Sequence, residues 1–570
     1  MAWVLGIGGY SHDASASLLY DGALVAAVQE ERLTRVKHAG GFPYRSIEYC
    51  LKAGGIAPSD VSAVAFYTRK SNWDRYLADT IKASLRHPRY TFGHGRGFVA
   101  SVGYRLYRSL SFRADLARFF LETGFDKRRF FDHEHHACHA ASAFYVSPFD
   151  EAIVLCVDGG GDGRTTSGWL GRGNRLVELP LSIRHPHSLG LIYTRMTRHL
   201  GFPSPGDEYK VMGLAAYGAP TYLDQMRKMV ELRDDGGYRL DMSFFNYQFD
   251  YSASERFYRT FGPARRKGEP VTERHADLAA SVQRLFEEIV LHLCVALRKR
   301  TGVGALCLGG GSALNCTANG RLLTCGEFDS VFVPPAASDL GTSMGAALYH
   351  SYQMLGGVKR TELRTDAWGP EYSDAEIEEE LQRAGLDYEP VSNPAVRAAE
   401  LISTGKIVGW FHGRMEFGPR ALGHRSILAD PRQRDVKDRM NKTVKFREEF
   451  RPFAPSILRE SAGRYFRQDA DSPFMTFTFD VLPERREDIP GVVHVDGSAR
   501  VQTVSRADEP LYYELIEHFY RLTGVPVVLN TSFNLAGEPI VCSPDDALRT
   551  TFTSGVDALV IGHYLVTKRR

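Results

Sequence analysis

Apolar residues near the start of the chain fall into three short runs, residues 3–7, 14–20 and 24–29, with the length and alternation of β-strands. Asp21-Gly22 between the second and third runs predicts a tight hairpin, because both central positions of that turn need positive φ. A polar turn, Gly8 to Asp13, separates the first two. The pattern returns later. An apolar run at 152–157 is followed by the turn Asp158-Gly-Gly-Gly-Asp162-Gly163, then by strand-like runs at 165–170 and 175–179 around Gly173-Asn174. Strand, Gly/Asp turn, strand, tight turn, strand therefore occurs twice. That predicts a duplicated α/β domain with a nucleotide cleft between related lobes. Leu278, Val282, Leu285, Ile289 and Leu293 give residues 273–299 a helical period, and a strand at 305–308 runs into Gly309-Gly310-Gly311-Ser312. Around residues 361–371 the pattern turns polar and then restarts with a polar helix at 374–384. Two domains are predicted, residues 1–362 and 363–570.

At 570 residues the chain exceeds what one hydrophobic core supports, which agrees with that division. The formal net charge of only +2 argues against a general nucleic-acid binder, so partners must be sought in local sites. None of the eight cysteines forms a Cys-x-x-Cys pair, and their apolar neighbours suit buried reduced thiols. The N-terminus lacks a basic segment ahead of an apolar one, and no apolar run is long enough for a bilayer. A soluble cytoplasmic protein with neither nucleic-acid nor membrane partners is expected.

Four constellations could carry chemistry. His135 and His139, in a helix-forming stretch with His136, are four apart and face one side, where they could share a metal with Asp158. A solvated histidine cluster is the alternative. Imidazole with carboxylate suits iron, zinc or manganese. Gly309, Gly310 and Asn315 join a strand to a helix, where backbone N–H groups could approach a phosphate, or simply make a tight turn. Ser338-Asp339 again puts a carboxylate at a helix start. Glu208 and Lys210 precede a small-residue helix and could read ribose or phosphate, or cap that helix.

The last third is the most specific. Cations recur in Glu416-Phe-Gly-Pro-Arg420-Ala-Leu-Gly-His-Arg425, Lys445-Phe-Arg447-Glu-Glu-Phe-Arg451-Pro-Phe-Ala-Pro-Ser456 and the segment around Arg500, and the neutral polar run Asn530-Thr531-Ser532-Phe-Asn534 follows. They lie in turns rather than at helical or alternating spacing, which predicts an anion pocket rather than a solvated face.

Together with His12-Asp13-Ala-Ser-Ala and Glu208-x-Lys210-Val-Met-Gly-Leu-Ala, these segments resemble, in order along essentially the whole chain, the carbamoyltransferase family of antibiotic and nodulation-factor biosynthesis. The resemblance implies an actin-like, sugar-kinase-type N-terminal domain and a YrdC-like α/β C-terminal domain. It implies that the second joins carbamoyl phosphate to ATP, with Mg2+, as carbamoyladenylate. The first would then pass the carbamoyl group to a hydroxyl of a small-molecule acceptor. By motif, Arg420, Lys445, Arg451, Arg500 and Ser532 resemble the carbamoyl phosphate pocket. His135, His139, Asp158 and Asp339 resemble metal ligands, for iron in the family. His12 resembles the group that prepares the acceptor hydroxyl. Glu208, Lys210, Gly309, Gly310, Asn315, Asn530 and Thr531 resemble nucleotide contacts. Some relatives carry an acid two positions before that histidine, where this chain has Tyr10. A sugar kinase on the same fold, or a nucleotide-switched interaction protein, would explain the first half but not the cationic last third. The Arg- and Tyr-rich stretch 70–120 is expected to line an acceptor site, to form a lid or to be a solvated insertion, and a homodimer is left open.

Overall fold

A computed structural model describes residues 2–11, 13–71, 74, 78, 81–82, 95–247, 252–356 and 359–568, with side chains for all of these except 95–102, 104 and 105. His12, Arg86 and Arg89, and the side chains of Arg96, Tyr104 and Arg105, lie outside the described residues. The backbone forms two compact units, Met1–Ala26 with Gly40–Glu362, and Ala27–Ala39 with Leu363–Arg570. Residues 27–39 thus depart from the expectation that 1–362 stay together. The physical reason is that Leu33 and Arg35 of this stretch find their apolar and polar partners within the second unit.

In the first unit, β1 (Trp3–Gly8) pairs antiparallel with β2 (Ser15–Tyr20) and parallel with β4 (Val61–Phe66), with β3 (Ala23–Gln29) and β5 (Phe130–Asp132) at the edges. The sheet order is β3-β2-β1-β4-β5. A second sheet repeats it. Here β6 (Glu151–Gly161) pairs antiparallel with β7 (Arg164–Arg172) and parallel with β11 (Ala305–Gly309), and β8 (Arg175–Arg184) and β12 (Ser330–Phe332) close the order β8-β7-β6-β11-β12. The predicted duplication is therefore present, as two sheets of like strand order. A small hairpin, β9 (Val230–Leu232) with β10 (Tyr238–Leu240), is added to it. The central strands β1 and β6 are nearly continuous buried runs because both of their faces are covered.

The regular elements run further than the sequence pattern suggested. β6 continues through the glycines of the expected turn, with a register shift between Val157 and Gly161, so only Asp162-Gly163 turns. The helix expected to end at 299 runs Glu273–Thr301 and stops at Gly302 in the left-handed region. Glu208 and Lys210 lie inside the helix Glu208–Ala215 rather than before it. Helices His135–Phe144 and Thr342–Tyr349 pack closely because small residues face each other. A Cβ on Gly345 would stand 2.0 Å from the Cys138 carbonyl oxygen.

The second unit is built on an eight-stranded mixed sheet, order β13-β22-β21-β14-β15-β20-β16-β19. Its strands are β13 (Glu389–Pro390), β14 (Val408–Phe411), β15 (Arg425–Ala429), β16 (Ala454–Leu458), β19 (Gln502–Val504), β20 (Val527–Ser532), β21 (Ala558–Ile561) and β22 (Tyr564–Thr567), and β17 (Thr478–Asp480) pairs with β18 (Ser498–Arg500). The polar helix expected at 374–384 spans Asp374–Arg383, with Ser373 and Glu376 forming a capping box.

His424, beside β15, sits 3.0 Å from Glu509. Burial pulls its imidazole down, but the charge and hydrogen bond of Glu509, with Glu416 and Asp366, raise it to about 9. A raised folded pKa stabilises fully below the ordinary value and is lost as pH rises through the folded one. Folding stability should therefore fall by up to about 3 kcal/mol between pH 6.5 and 9 from this source. Urea midpoints at those two pH values should differ clearly less in His424→Gln than in the parent protein.

No helix among the described residues is long and apolar enough to cross a membrane.

Candidate functional site

The helix His135–Phe144 begins where Glu134 accepts the Ala137 backbone N–H at 2.7 Å. Helical spacing then turns His135 and His139 to one side, and both are buried. Asp158 reaches them from β6, and Asp339 from the turn that precedes Thr342–Tyr349. The two Nε2 atoms are 3.1 Å apart. His135 Nε2 lies 3.4 Å from Asp158 and 3.5 Å from Asp339, and His139 Nε2 lies 3.4 Å from Asp339. All four ligand atoms fall within 4.8 Å of one another. Bonds of about 2.1 Å to one ion place neighbouring ligands about 3.4 Å apart in a tetrahedron. The donor set therefore fits a divalent metal. Asp339 Oδ1 is buried without a hydrogen-bond partner, which a cation would offset.

The electrostatics agree with mutual attraction. Burial pulls the His135 imidazole down, yet the Asp158 hydrogen bond and the Asp339 charge carry it up to about 9. Burial raises Asp158, but His135 and His139 hold its carboxyl well below the usual range. His136 points elsewhere, its Nδ1 lying 2.9 Å from Ser167, and burial keeps it neutral by lowering its pKa strongly.

Gly161 leaves the space that the His135 ring fills, since a Cβ there would lie 2.0 Å from ring carbon Cδ2. Gly161→Ala should push the ring out of line and lower metal affinity about 10- to 100-fold, read as metal content after dialysis against a weak chelator. Retained stoichiometry and affinity would show that the centre tolerates the shift.

The glycine-rich turn after β11 adjoins this centre. Gly311 donates its N–H to Asp158 Oδ1 at 3.1 Å, and Gly310 donates to the Ala337 carbonyl at 2.9 Å. These two amides are engaged inside the protein. Gly309 ends β11, where an added Cβ would stand 2.9 Å from the His139 carbonyl oxygen. Asn315 caps the following helix through Ala318 N–H and exchanges side-chain hydrogen bonds with Gln283. Glu208 accepts from Thr194 at 2.6 Å, and Lys210 pairs with Asp207 at 3.0 Å. Tyr10 is buried, and its hydroxyl meets Asp115 on the helix Gly95–Thr123. A carboxylate thus stands beside Tyr10, although the sequence lacks one at that position. Arg108 of the Arg- and Tyr-rich stretch lies over the Tyr10 ring at 5.7 Å, whereas Tyr107 is exposed.

In the second unit, Lys445 is buried and donates to the Ser532 carbonyl, the Asn534 carbonyl at 3.1 Å and Asn534 Oδ1 at 2.9 Å, with Ser532 Oγ at 3.3 Å. Its pKa is lowered well below the ordinary lysine value by burial, then by the charges of Arg447, Arg451 and Lys37. The ammonium's hydrogen bonds are all to neutral oxygens, within a field of other cations. Lys445, Arg451 and Ser532 are thus brought together. Arg420 and Arg500 are half-buried, the first on the Glu416 turn and the second at the end of β18. Glu416 shapes that turn from inside, its Oε1 accepting the N–H groups of Leu422, His424 and Arg425. Asn530 is buried, and its amide bonds Ala421 O, Ser456 Oγ and Gln502 Oε1, bracing the same turn, while Thr531 beside it is half-buried.

Arg425 was one of the recurring cations in the sequence. It is wholly buried, donates to the carbonyls of Pro370, His412, Gly413 and His424, and packs on Phe411, so it is a brace. Sequence reasoning named Asn534 within its motif but gave it no role of its own, and it missed Lys37. Asn534 could have been found as the second polar end of the Asn530–Asn534 motif, but nothing in the linear pattern links Lys37 to Lys445.

Two family descriptions match the chain, Carbamoyltransferase N-terminus over residues 3–348 and Carbamoyltransferase C-terminus over residues 399–568. The chain is 42% identical over 603 residues to protein sll1178 of Synechocystis, covering all of this chain and 97% of that protein. It is also 42% identical to the nodulation protein NolNO of Sinorhizobium fredii, covering 98% of this chain and 79% of the relative. Among solved structures, full-length HypF in its phosphate- and nucleotide-bound form is similar at 14% identity and a TM-score of 0.34, over 62% of this chain and 47% of that one. With both halves matched in order and this identity sustained along its length, the chain belongs to the carbamoyltransferase family and is a carbamoyltransferase.

Proposed function

We propose that the protein is an ATP-dependent O-carbamoyltransferase with two sites. In the second unit, carbamoyl phosphate, water and ATP give carbamoyladenylate, phosphate and pyrophosphate, with Mg2+ accompanying the nucleotide. In the first unit, the hydroxyl of a small-molecule acceptor, a natural product or sugar, attacks the carbamoyl carbon. The C–O bond to the phosphate of AMP breaks, AMP leaves, and the hydroxyl proton passes to a base. The observation that carries this reading is the Lys445 cluster, a buried ammonium among guanidinium charges that an anion would offset.

Arg420, Lys445, Arg451, Arg500 and Ser532 would bind the carbamoyl phosphate oxygens, the cations through charge-assisted hydrogen bonds. Asn530 and Thr531 would border ATP. Glu208, Lys210, Gly309, Gly310 and Asn315 would border the adenylate in the transfer unit. His12 would take the acceptor proton, since imidazole titrates near neutral pH. His135, His139, Asp158 and Asp339 would hold the metal, iron by family resemblance, which when bound supplies positive charge to the leaving phosphate.

The test is to incubate the protein with ATP, carbamoyl phosphate and a panel of hydroxylated metabolites, and to look for a carbamoyl mass gain by mass spectrometry. Product that forms without carbamoyl phosphate and carries a phosphoryl group instead would make it a kinase.

A further inference from the structure

The stretch Ala27–Ala39 enters the second unit as a short strap, although in the sequence it is far from everything else there. Its backbone joins the unit where Ala27 N–H donates to the Trp368 carbonyl at 3.1 Å. Two arginines then reach in different directions. Arg32 is buried and donates to the Gly418 carbonyl at 2.9 Å, two residues before Arg420. Arg35 spreads its guanidinium over the carbonyls of Ile540 at 2.6 Å and Pro539 at 3.0 Å, and its Nε lies 3.0 Å from Asp546.

The second of these contacts leads directly to the anion pocket. Asn534 Nδ2 donates to the Glu538 carbonyl at 2.8 Å, one residue from the Arg35 fork, and Asn534 Oδ1 accepts from Lys445 and from Ser532 Oγ. Arg35, the 538–540 carbonyls, Asn534 and Lys445 therefore form one connected run. An independent apolar contact ties the same two loops. Leu33 packs on a core cluster that includes Ala421, next to Arg420, and Ile540. The strap thus grips both loops that present the pocket's polar groups, yet no strap arginine bonds the pocket side chains themselves in any of these contacts.

We infer that Arg32 and Arg35 of the N-terminal strap are positioning residues for carbamoyl phosphate binding, holding the Arg420 and Ser532–Asn534 loops at the spacing that the anion requires. This rests on reading that pocket as the carbamoyl phosphate site. Arginine suits the task at position 35, because one planar fork can hold two successive carbonyls while its Nε keeps a carboxylate. A lysine would retain the charge near Asp546 but could not span both carbonyls.

The test uses the full chain with Arg35→Ala, Arg35→Lys and Arg32→Ala, following pyrophosphate release while carbamoyl phosphate is varied at saturating ATP. The expected result is a rise of about tenfold or more in KM for carbamoyl phosphate in all three, with kcat changed much less. Arg35→Lys should recover thermal stability but not KM. Hydrogen exchange at the Val541 amide, which bonds the Phe533 carbonyl, should quicken in the Arg35 variants. Should Arg35→Ala not fold, the other two variants carry the comparison. The inference is overturned if KM is unchanged in the folded variants, or if lysine restores KM and stability together, since the strap would then only add stability. If the parent protein binds no carbamoyl phosphate and releases no pyrophosphate, the reading of the pocket has failed and takes this inference with it.

Discussion

Carbamoyl-phosphate-dependent pyrophosphate release is expected to fall about 30- to 1000-fold in Arg451→Ala, while the protein stays folded. Arg451 is half-buried, with Glu448 3.6 Å away, and its charge is one of those that depress Lys445. In the proposed complex its guanidinium and the Lys445 ammonium face the same anion. Removing one partner of such a desolvated charge pair typically costs about 2–4 kcal/mol, which is the stated loss in rate at subsaturating substrate. Lys445→Met should be at least as severe, because the oxygens of Ser532 and Asn534 would also lose their donor. A melting curve separates the two causes. Only Lys445→Met should unfold earlier, whereas both should lose pyrophosphate release. Because Lys445 releases its proton more readily than a free lysine, affinity for the anion should also weaken as pH rises. Equal pyrophosphate release by Arg451→Ala and the parent would remove the pocket from the mechanism.

The second large effect is expected on the other half-reaction. His139→Ala should leave pyrophosphate release nearly intact but reduce bound metal from about one equivalent to near zero. Carbamoyl transfer should fall by several orders of magnitude, the scale on which a charge-stabilising group acts in a transition state. His139 is wholly buried with its Nε2 turned towards His135 and Asp339, so alanine removes a donor from a set that no other nearby side chain completes among the described residues. Metal analysis reads this independently of activity. His12→Ala supplies the contrast, since metal and pyrophosphate release should both persist while transfer is lost. If His139→Ala and His12→Ala each lost both half-reactions equally without unfolding, one site rather than two would be at work.

Much of the fold was legible because it depends on local periodicity. The Asp21-Gly22 turn, the apolar run of β6 and the helical period from Leu278 to Leu293 each state their own structure, and the repetition of the first pattern predicted a duplicated sheet. His135 and His139 were legible for the same reason, because spacing of four on a helix is a local fact. Where the prediction stopped short, backbone hydrogen bonds that leave no trace in the apolar pattern had decided. β6 runs on through its glycines because Gly161 pairs with Arg164 across the bulge, and Glu208 sits inside its helix because the Asp207 carbonyl accepts the Lys210 N–H and closes the first turn.

Chemistry-bearing residue types in turns, a paired histidine motif and a family order were thus determined by the chain alone. Tertiary structure alone decided which cations are braces and which stand beside the buried Lys445. Arg425 and Arg451 look alike in the sequence, but one is sealed among four carbonyls and the other stands beside a buried ammonium. It likewise brought Asp339 to His139, about two hundred residues away, and delivered Leu33, Arg35 and Lys37 to a unit built from the far end of the chain. The reason is physical: periodicity reports which face of an element is buried, whereas the energy of a buried charge depends on partners that only chain folding brings within reach.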